Sequence, residues 1–248
     1  MASSTPISLL GGIDRDEGEI LDAASGVQGE KVRNRILVFP HGKGSTAGSY
    51  VLYGLKSLDR APAGLVAGAA EAVVATGAIL SEIPTVDQVQ VDLFRTGDQV
   101  FVNATEGYVE LETVRRRDVV TSFLRHRGRL LLLRRSAEVG SFQGYWAGVS
   151  GYLEGDEEPE DRARVEILEE TGVRDPQLLG AGNVVLARGR EPEAVWAVHP
   201  FLFDVASDDV TLDWEHDAYK WVAPETLGSY QTVPKLHAAL RGVLEKVN

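Results

Sequence analysis

Short apolar runs alternate with stretches of helical spacing along the first 111 residues. RILVF at 35–39 is a compact apolar run of the kind that forms a buried strand. PHGKGS at 40–45 is rich in glycine and reads as a loop. TAGSYVLYGLKSLD at 46–59 puts Val51, Leu52, Leu55 and Leu58 on one side of a helix. Residues 64–66 predict a short apolar strand and 69–80 a helix of small residues. From 89 to 111 the pattern predicts strands joined at TGDQ and ATEG, which carry turn residues.

The second half has a different rhythm. VVTSFLRH and RLLLLRRS flank Arg127 and Gly128, which predicts a hairpin. A loop and short strand at 140–151 lead to a helix at 159–171, closed by Gly172 at a C-terminal cap position. Strands follow near 184–188 and 194–203, and a last helix near 233–247. The boundary between the halves is ETVRRRD at 112–118, giving domains at 1–114 and 115–248. No Pro/Ser/Gly linker, internal repeat or low-complexity segment marks it.

Composition narrows the chemistry. The 248 residues allow one or two domains at roughly 150 residues each. The start, MASSTPISLLGG, lacks a basic region followed by a long apolar stretch, and the apolar segment at 61–80 is broken by Pro62, Glu71 and glycines. These features predict a cytoplasmic protein with no membrane association. A net charge of −12 argues against nonspecific nucleic-acid binding, which needs a basic surface. There is no cysteine, which removes disulfides, thiol nucleophiles, thiolate-bound zinc and a self-supplied iron–sulfur cluster. Any metal must then be held by oxygen or imidazole donors, and the oxygen donors favour magnesium or manganese.

GYLEGDEEPEDRARVEILEETGV at 151–173 carries the strongest signal. Glu166, Glu169 and Glu170 sit at helical spacings that bring them together, where like charges destabilise by about 0.2–0.5 kcal/mol per pair. A bound divalent cation reverses that sign, whereas a solvated acidic face is the bland alternative. The stretch resembles the Nudix box. Gly151 opens it, Glu157 follows after five residues, and Val165-Glu166 after seven more; then come Ile167, Glu169-Glu170 and Gly172-Val173. The one departure is Val165, where that family has arginine. The resemblance implies an α/β/α sandwich at 115–248 and hydrolysis of a diphosphate with Mg2+ or Mn2+. It implies Glu169 and Glu170 as metal ligands and Glu166 as ligand or catalytic base. The Ser150 carbonyl is a further ligand and Glu157 steadies the loop. The family's arginine orients carboxylates within the box. Arg164 points about 100° away from residue 165 and is a poor substitute, so some other group must orient Glu166, or the domain binds without cleaving.

Other residues of this half fit the same picture. Arg134 and Arg135 end a strand before the box loop, where they could meet a substrate phosphate, although a solvated strand end is the plainer reading. LDWEHDAYKWV resembles the family's acidic segment before a late strand, with Glu215 a candidate metal ligand or base. His216 reads as structural, and Trp146, Trp214 and Trp221 as core or pocket wall.

PHGKGSTAGSY follows the predicted strand and opens a helix, a setting that favours an anion. It is neither a P-loop nor a nucleophile elbow, because Gly44 follows Lys43 and GxSxG does not fit. With GGIDRDEGEI, APAGLV and AILSEIPTVD it resembles the small subunit of aconitase-X-type dehydratases, a group that includes archaeal phosphomevalonate dehydratase. That resemblance covers 8–111 and implies an aconitase-like swivelling β/α domain. Such a domain closes over an iron–sulfur cluster held by a separate large subunit. It implies a serine base, Ser45 first and Ser49 second, with Gly44 and Ser49 near the substrate and Lys43 supplying positive charge. Asp14 and Arg15 are candidates for the rim, with a turn role more natural.

The combined expectation is an α/β fusion of two enzymatic modules. The first is a hydro-lyase small subunit, which cannot act alone. The second is a Mg2+-dependent Nudix hydrolase of a nucleoside or isoprenoid diphosphate. The isomerase branch of that family uses a cysteine and does not fit. The alternative is a non-hydrolytic diphosphate-binding module that regulates a dehydratase large subunit. The partners implied are a small diphosphate and that large subunit. Nudix proteins are often dimers, which leaves a homodimer open.

Overall fold

The computed structural model describes residues 1–189 and 193–247. The chain divides into two compact units, Met1–Val114 and Arg115–Asn248.

In the first unit the apolar runs form a four-stranded sheet in the order β1 (Ile7–Ser8), β2 (Ile36–Lys43), β3 (Gly64–Ala69), β4 (Thr85–Val86). All neighbouring strands are parallel. Parallel strands need crossovers. These are an irregular turn α1 (Leu9–Gly12) and helices α2 (Ser49–Ser57) and α3 (Ala72–Leu80). Leu37 and Phe39 of β2, Leu52 and Leu55 of α2 and Val74 of α3 share one buried core.

The loop expected at 40–45 is partly strand, because β2 runs on to Lys43 and pairs with both β1 and β3. Gly42 is the reason: it is buried, and a Cβ there would lie 2.5 Å from Val74 Cγ2. The glycine serves close packing, and the turn proper begins at Gly44, with φ +103°. Residues 46–48 form a 3₁₀ turn before α2. At 89–111 the structure has a 3₁₀ turn and one hairpin, β5 (Val100–Asn103) with β6 (Tyr108–Leu111), closed at ATEG.

The second unit is built on an eight-stranded mixed sheet. Its strands are β7 (Arg115–His126), β8 (Arg129–Arg135), β9 (Trp146–Ala147), β10 (Val149–Tyr152), β11 (Gln177–Ala181), β12 (Val185–Arg188), β13 (Ala194–Asp204) and β14 (His216–Val222). β7 pairs in parallel with β13 and antiparallel with β8 and β10. The β7–β8 turn has positive φ at both Arg127 (48°) and Gly128 (77°), as a tight hairpin turn requires. β7 starts at Arg115, earlier than the apolar pattern indicates. The exposed run Arg115–Arg117 gains its place through backbone pairing with Ala194–Trp196.

Alternation along these strands creates two cores. Val120, Leu131, Leu133 and Phe203 pack with Ala163 and Ile167 of α4 (Pro159–Thr171). Phe123, Leu130, Leu132 and Leu202 pack with Ala239, Leu240 and Val243 of α5 (Leu236–Val247). The result is a helix on each face of one sheet, an α/β/α sandwich. Among the described residues no helix is long and apolar enough to cross a membrane.

Candidate functional site

Helix α4 carries the carboxylates of the second unit. Pro159 occupies its first turn, Glu160 and Asp161 complement the N-terminal dipole, and Gly172 ends it with φ 72°. The helix turns Ala163 and Ile167 into the core, while Val165 and Leu168 stay 42% and 44% exposed. Glu166 and Glu170 go the unusual way for carboxylates, being only 7% and 3% exposed. Glu169 is exposed.

Glu166 lies directly over Gly151 of β10, where any Cβ would overlap its carboxyl group. Glycine at 151 is therefore a packing necessity. Glu170 Oε1 accepts a hydrogen bond from the Ser150 backbone N–H at 3.2 Å. Its Oε2 is buried and has no hydrogen-bond partner among the described residues. His216 Nε2 lies 3.8 Å from that oxygen, and His216 Nδ1 meets Asp213 Oδ1 at 3.1 Å. Burial, and then the Glu166 charge, pushes Glu170 well above its ordinary 4.5, with Glu215 and Asp213 adding to the rise. Burial also raises Glu166, and Arg162 offsets only part of that. Burial lowers His216 despite the Asp213 carboxylate.

Arg162, one helical turn before Glu166, forms an ion pair with it through Nη2 and Oε1. Arg164 is committed elsewhere: it bonds Glu160 at 2.8 Å and the Pro176 carbonyl at 2.8 Å. Its guanidinium lies 5.2 Å from the Phe203 ring centroid. The Glu157 carboxylate accepts the Glu154 N–H at 3.1 Å, within the loop that opens the box. Glu215 is half-buried and its charge is felt at both Glu166 and Glu170. Arg135 shares the strand face of Leu131 and Leu133, acts electrostatically on His216, and donates through Nε to the Ser141 carbonyl at 3.0 Å. Arg134 alternates to the face of Leu130 and Leu132, toward α5, and pairs with Asp217 at 2.6 Å. Trp214 is 62% exposed, whereas Trp146 stacks edge-on with Tyr230 and Trp221 donates to the Asp208 carbonyl.

Sequence patterns alone did not single out Arg162 or the Asp213–His216 pair. The spacing of Arg162 and Glu166, four apart on a helix, is a signal that was there to use. Asp213 and His216 lie some forty residues beyond α4, next to a register shift in the β8–β14 pairing, which no local pattern announces.

The donor set suits a hard cation: buried carboxylates, one with an oxygen unpartnered among the described residues. Among the described residues no three such groups already converge on one point. Arg162 holds Glu166, and Glu169 stands out in solvent.

In the first unit Ser45 is exposed and caps the turn after Gly44, its Oγ accepting the Ala47 N–H at 3.3 Å. Ser49 is buried, and its Oγ donates to the Thr46 carbonyl at 2.8 Å. Lys43 pairs with Asp22 at 3.0 Å. Asp14 accepts the backbone N–H groups of Asp16 and Glu17, a local turn.

Comparison with known proteins divides the chain at the same place. A family model described as an aconitase X swivel domain matches residues 1–111, and a NUDIX domain model matches 114–247. The phosphomevalonate dehydratase small subunit of Thermococcus kodakarensis is 50% identical over 111 residues, covering 45% of this chain and 84% of that protein. The counterpart from Methanosarcina mazei is 46% identical over 114 residues, covering 45% and 79%. Among solved structures, a MutT protein from Methanosarcina mazei Go1 is 29% identical, covering 53% of this chain and 94% of that one, with a TM-score of 0.42. The chain thus belongs to the Nudix family through its second unit and to the aconitase X swivel-domain family through its first.

Proposed function

We propose that the second unit hydrolyses a diphosphate with the help of Mg2+ or Mn2+, and that the first is the small subunit of a dehydratase. The observation that carries the hydrolase reading is the buried pair Glu166 and Glu170. Two carboxylates are withdrawn from water on one helix face, and one of their oxygens lacks a partner among the described residues. Such a pair is unfavourable alone and suits a site completed by a divalent cation.

In this reading Glu166, Glu169, Glu170 and the Ser150 carbonyl would hold the cation, with Glu215 as a further ligand. The cation, when bound, neutralises phosphate oxygens. Glu166 takes a proton from the attacking water. Water oxygen bonds to phosphorus, the bridging P–O bond breaks, and two phosphate products leave. Arg135, on the same face as His216, meets the outer phosphate. Arg134, paired with Asp217 toward α5, serves the sheet. Arg162 offsets part of the cost of burying the Glu166 charge.

The dehydratase small subunits among the relatives support a large-subunit partner for the first unit. That partner would hold the iron–sulfur cluster, since this chain has no cysteine. Ser45, exposed after Gly44 where its Oγ caps the turn at Ala47, is the candidate base. Ser49 is buried and tied to Thr46, so it and Gly44 shape the pocket. The fusion with a dehydratase small subunit supports, in this reading, an isoprenoid diphosphate over a nucleotide as the substrate.

The test is phosphate or pyrophosphate release by the full chain with Mg2+ across nucleotide and isoprenoid diphosphates, beside Glu170→Gln. Metal-dependent turnover that the variant loses supports hydrolysis. The second reading is a binding module without turnover, favoured by Val165 and by the hold of Arg162 on Glu166. Ligand-induced thermal stabilisation with no product release would select it.

A further inference from the structure

We propose that Arg162 is the positioning residue of the carboxylate site, set one helical turn from where a neighbour of Glu166 would act. This deepens the hydrolase reading and rests on it. Positions 162, 165, 166 and 169 follow the i, i+3, i+4, i+7 rule and form one stripe of α4. Helical side chains lean toward the N-terminus, so the Glu166 carboxyl reaches back over the turn that carries Arg162.

Three observations single out Arg162. It forms the ion pair with Glu166, with the arginine side chain 26% exposed. Burial works against its charge, yet Glu166, Glu157 and Glu169 together hold its pKa above the ordinary value. It therefore sits in the joint field of three box carboxylates. Neither Val165 nor Arg164 competes for this role, because Val165 has no donor and Arg164 is spent on Glu160 and the Pro176 carbonyl.

The geometry on the other side makes the hold necessary. Glu166 rests over Gly151, with only backbone beneath it, and Glu170 lies close enough to feel its charge. Without a cation nearby, the two buried carboxylates repel. Arg162 keeps Glu166 aimed at the site and prevents it from swinging into solvent. Because residue 165 shares the stripe, a guanidinium placed there could take over the same carboxylate.

The test uses the full chain with Arg162→Ala, Arg162→Lys and the double variant Arg162→Ala/Val165→Arg. Mn2+ affinity is read by spin resonance of the free ion, without substrate. Turnover and the melting temperature of the metal-free protein are read beside it. Arg162→Ala should weaken Mn2+ binding and lower kcat by about 10- to 100-fold with KM little changed, the range for groups that orient metal ligands. Arg162→Lys should retain part of both, and the double variant should regain most. An ordinary surface ion pair would not respond to Val165→Arg. Parental Mn2+ affinity in a folded Arg162→Ala, or a double variant as weak as that single one, overturns the proposal. A parent chain that binds no Mn2+ would sink the metal reading instead. The positioning role would then be judged by metal-free melting, supported if Arg162→Ala lowers it and the double variant restores it, and overturned otherwise.

Discussion

Gly151 and Glu166 form a pair in which each residue explains the other. The carboxyl needs a floor without a side chain, and the glycine has no reason to be there unless something large covers it. Gly151→Ala should therefore destabilise the protein by about 1–3 kcal/mol, the usual range for overpacking, as read by urea denaturation. Adding Glu166→Ala should relieve most of that loss, and strict additivity of the two would contradict the packing account. Glu170 leads to a second outcome, in pH. Its folded pKa is raised, so between the ordinary 4.5 and that raised value the native state holds a proton that the unfolded chain has released. Stability of the metal-free protein should fall as pH rises through this window, opposite to a salt-bridged carboxylate. Comparing urea midpoints near about pH 5 and about pH 8 checks this, and Glu170→Gln should flatten the trend. The sequence makes the carboxylates themselves legible because their spacing is fixed along one helix. It hides their surroundings: His216 comes from β14 and Asp213 from the segment before it, far along the chain, and Val165 draws attention away from the arginine three residues earlier.

Helix α4 shows at the element scale why some boundaries are readable. Its start has proline, acidic residues follow, and its end has a glycine that must adopt a left-handed conformation. Each is a local chemical requirement, so the expected span 159–171 coincides with the observed one. β2 is the contrary case. Its glycines suggest a loop, yet Gly42 is kept small by Val74 of a helix thirty residues away, which local pattern cannot reveal. Likewise Arg115–Arg117 lie in a strand because a distant backbone, Ala194–Trp196, supplies hydrogen bonds. The capping argument makes its own prediction. Gly172→Ala forces a Cβ into the left-handed region at φ 72° and should cost about 1 kcal/mol in urea denaturation. Gly172→Asn should cost less, since asparagine tolerates that conformation. Equal losses for both would point to crowding against Thr211 as the cause.

Each unit of the whole molecule has its own core, one centred on Leu37, Phe39, Leu52 and Leu55 and the other split across the two faces of the larger sheet. The two families were each readable because each left a dense local motif, whereas the chemistry that links them leaves no motif. Separate cores predict separate cooperative transitions, the behaviour of a chain made of domains. Calorimetry of the full chain should resolve two. Leu52 is fully buried in the first unit, so Leu52→Ala should remove about 2–5 kcal/mol and lower one transition alone. Mn2+ should act on the other, since a ligand stabilises only the fold that binds it, by about 2.7 kcal/mol at a hundredfold excess over its dissociation constant. Glu170→Gln should abolish that shift and leave the first transition where it was. A single transition moved by both Leu52→Ala and Mn2+ would mean that the units unfold together, and that the site on α4 is energetically coupled to a core in which it has no residue.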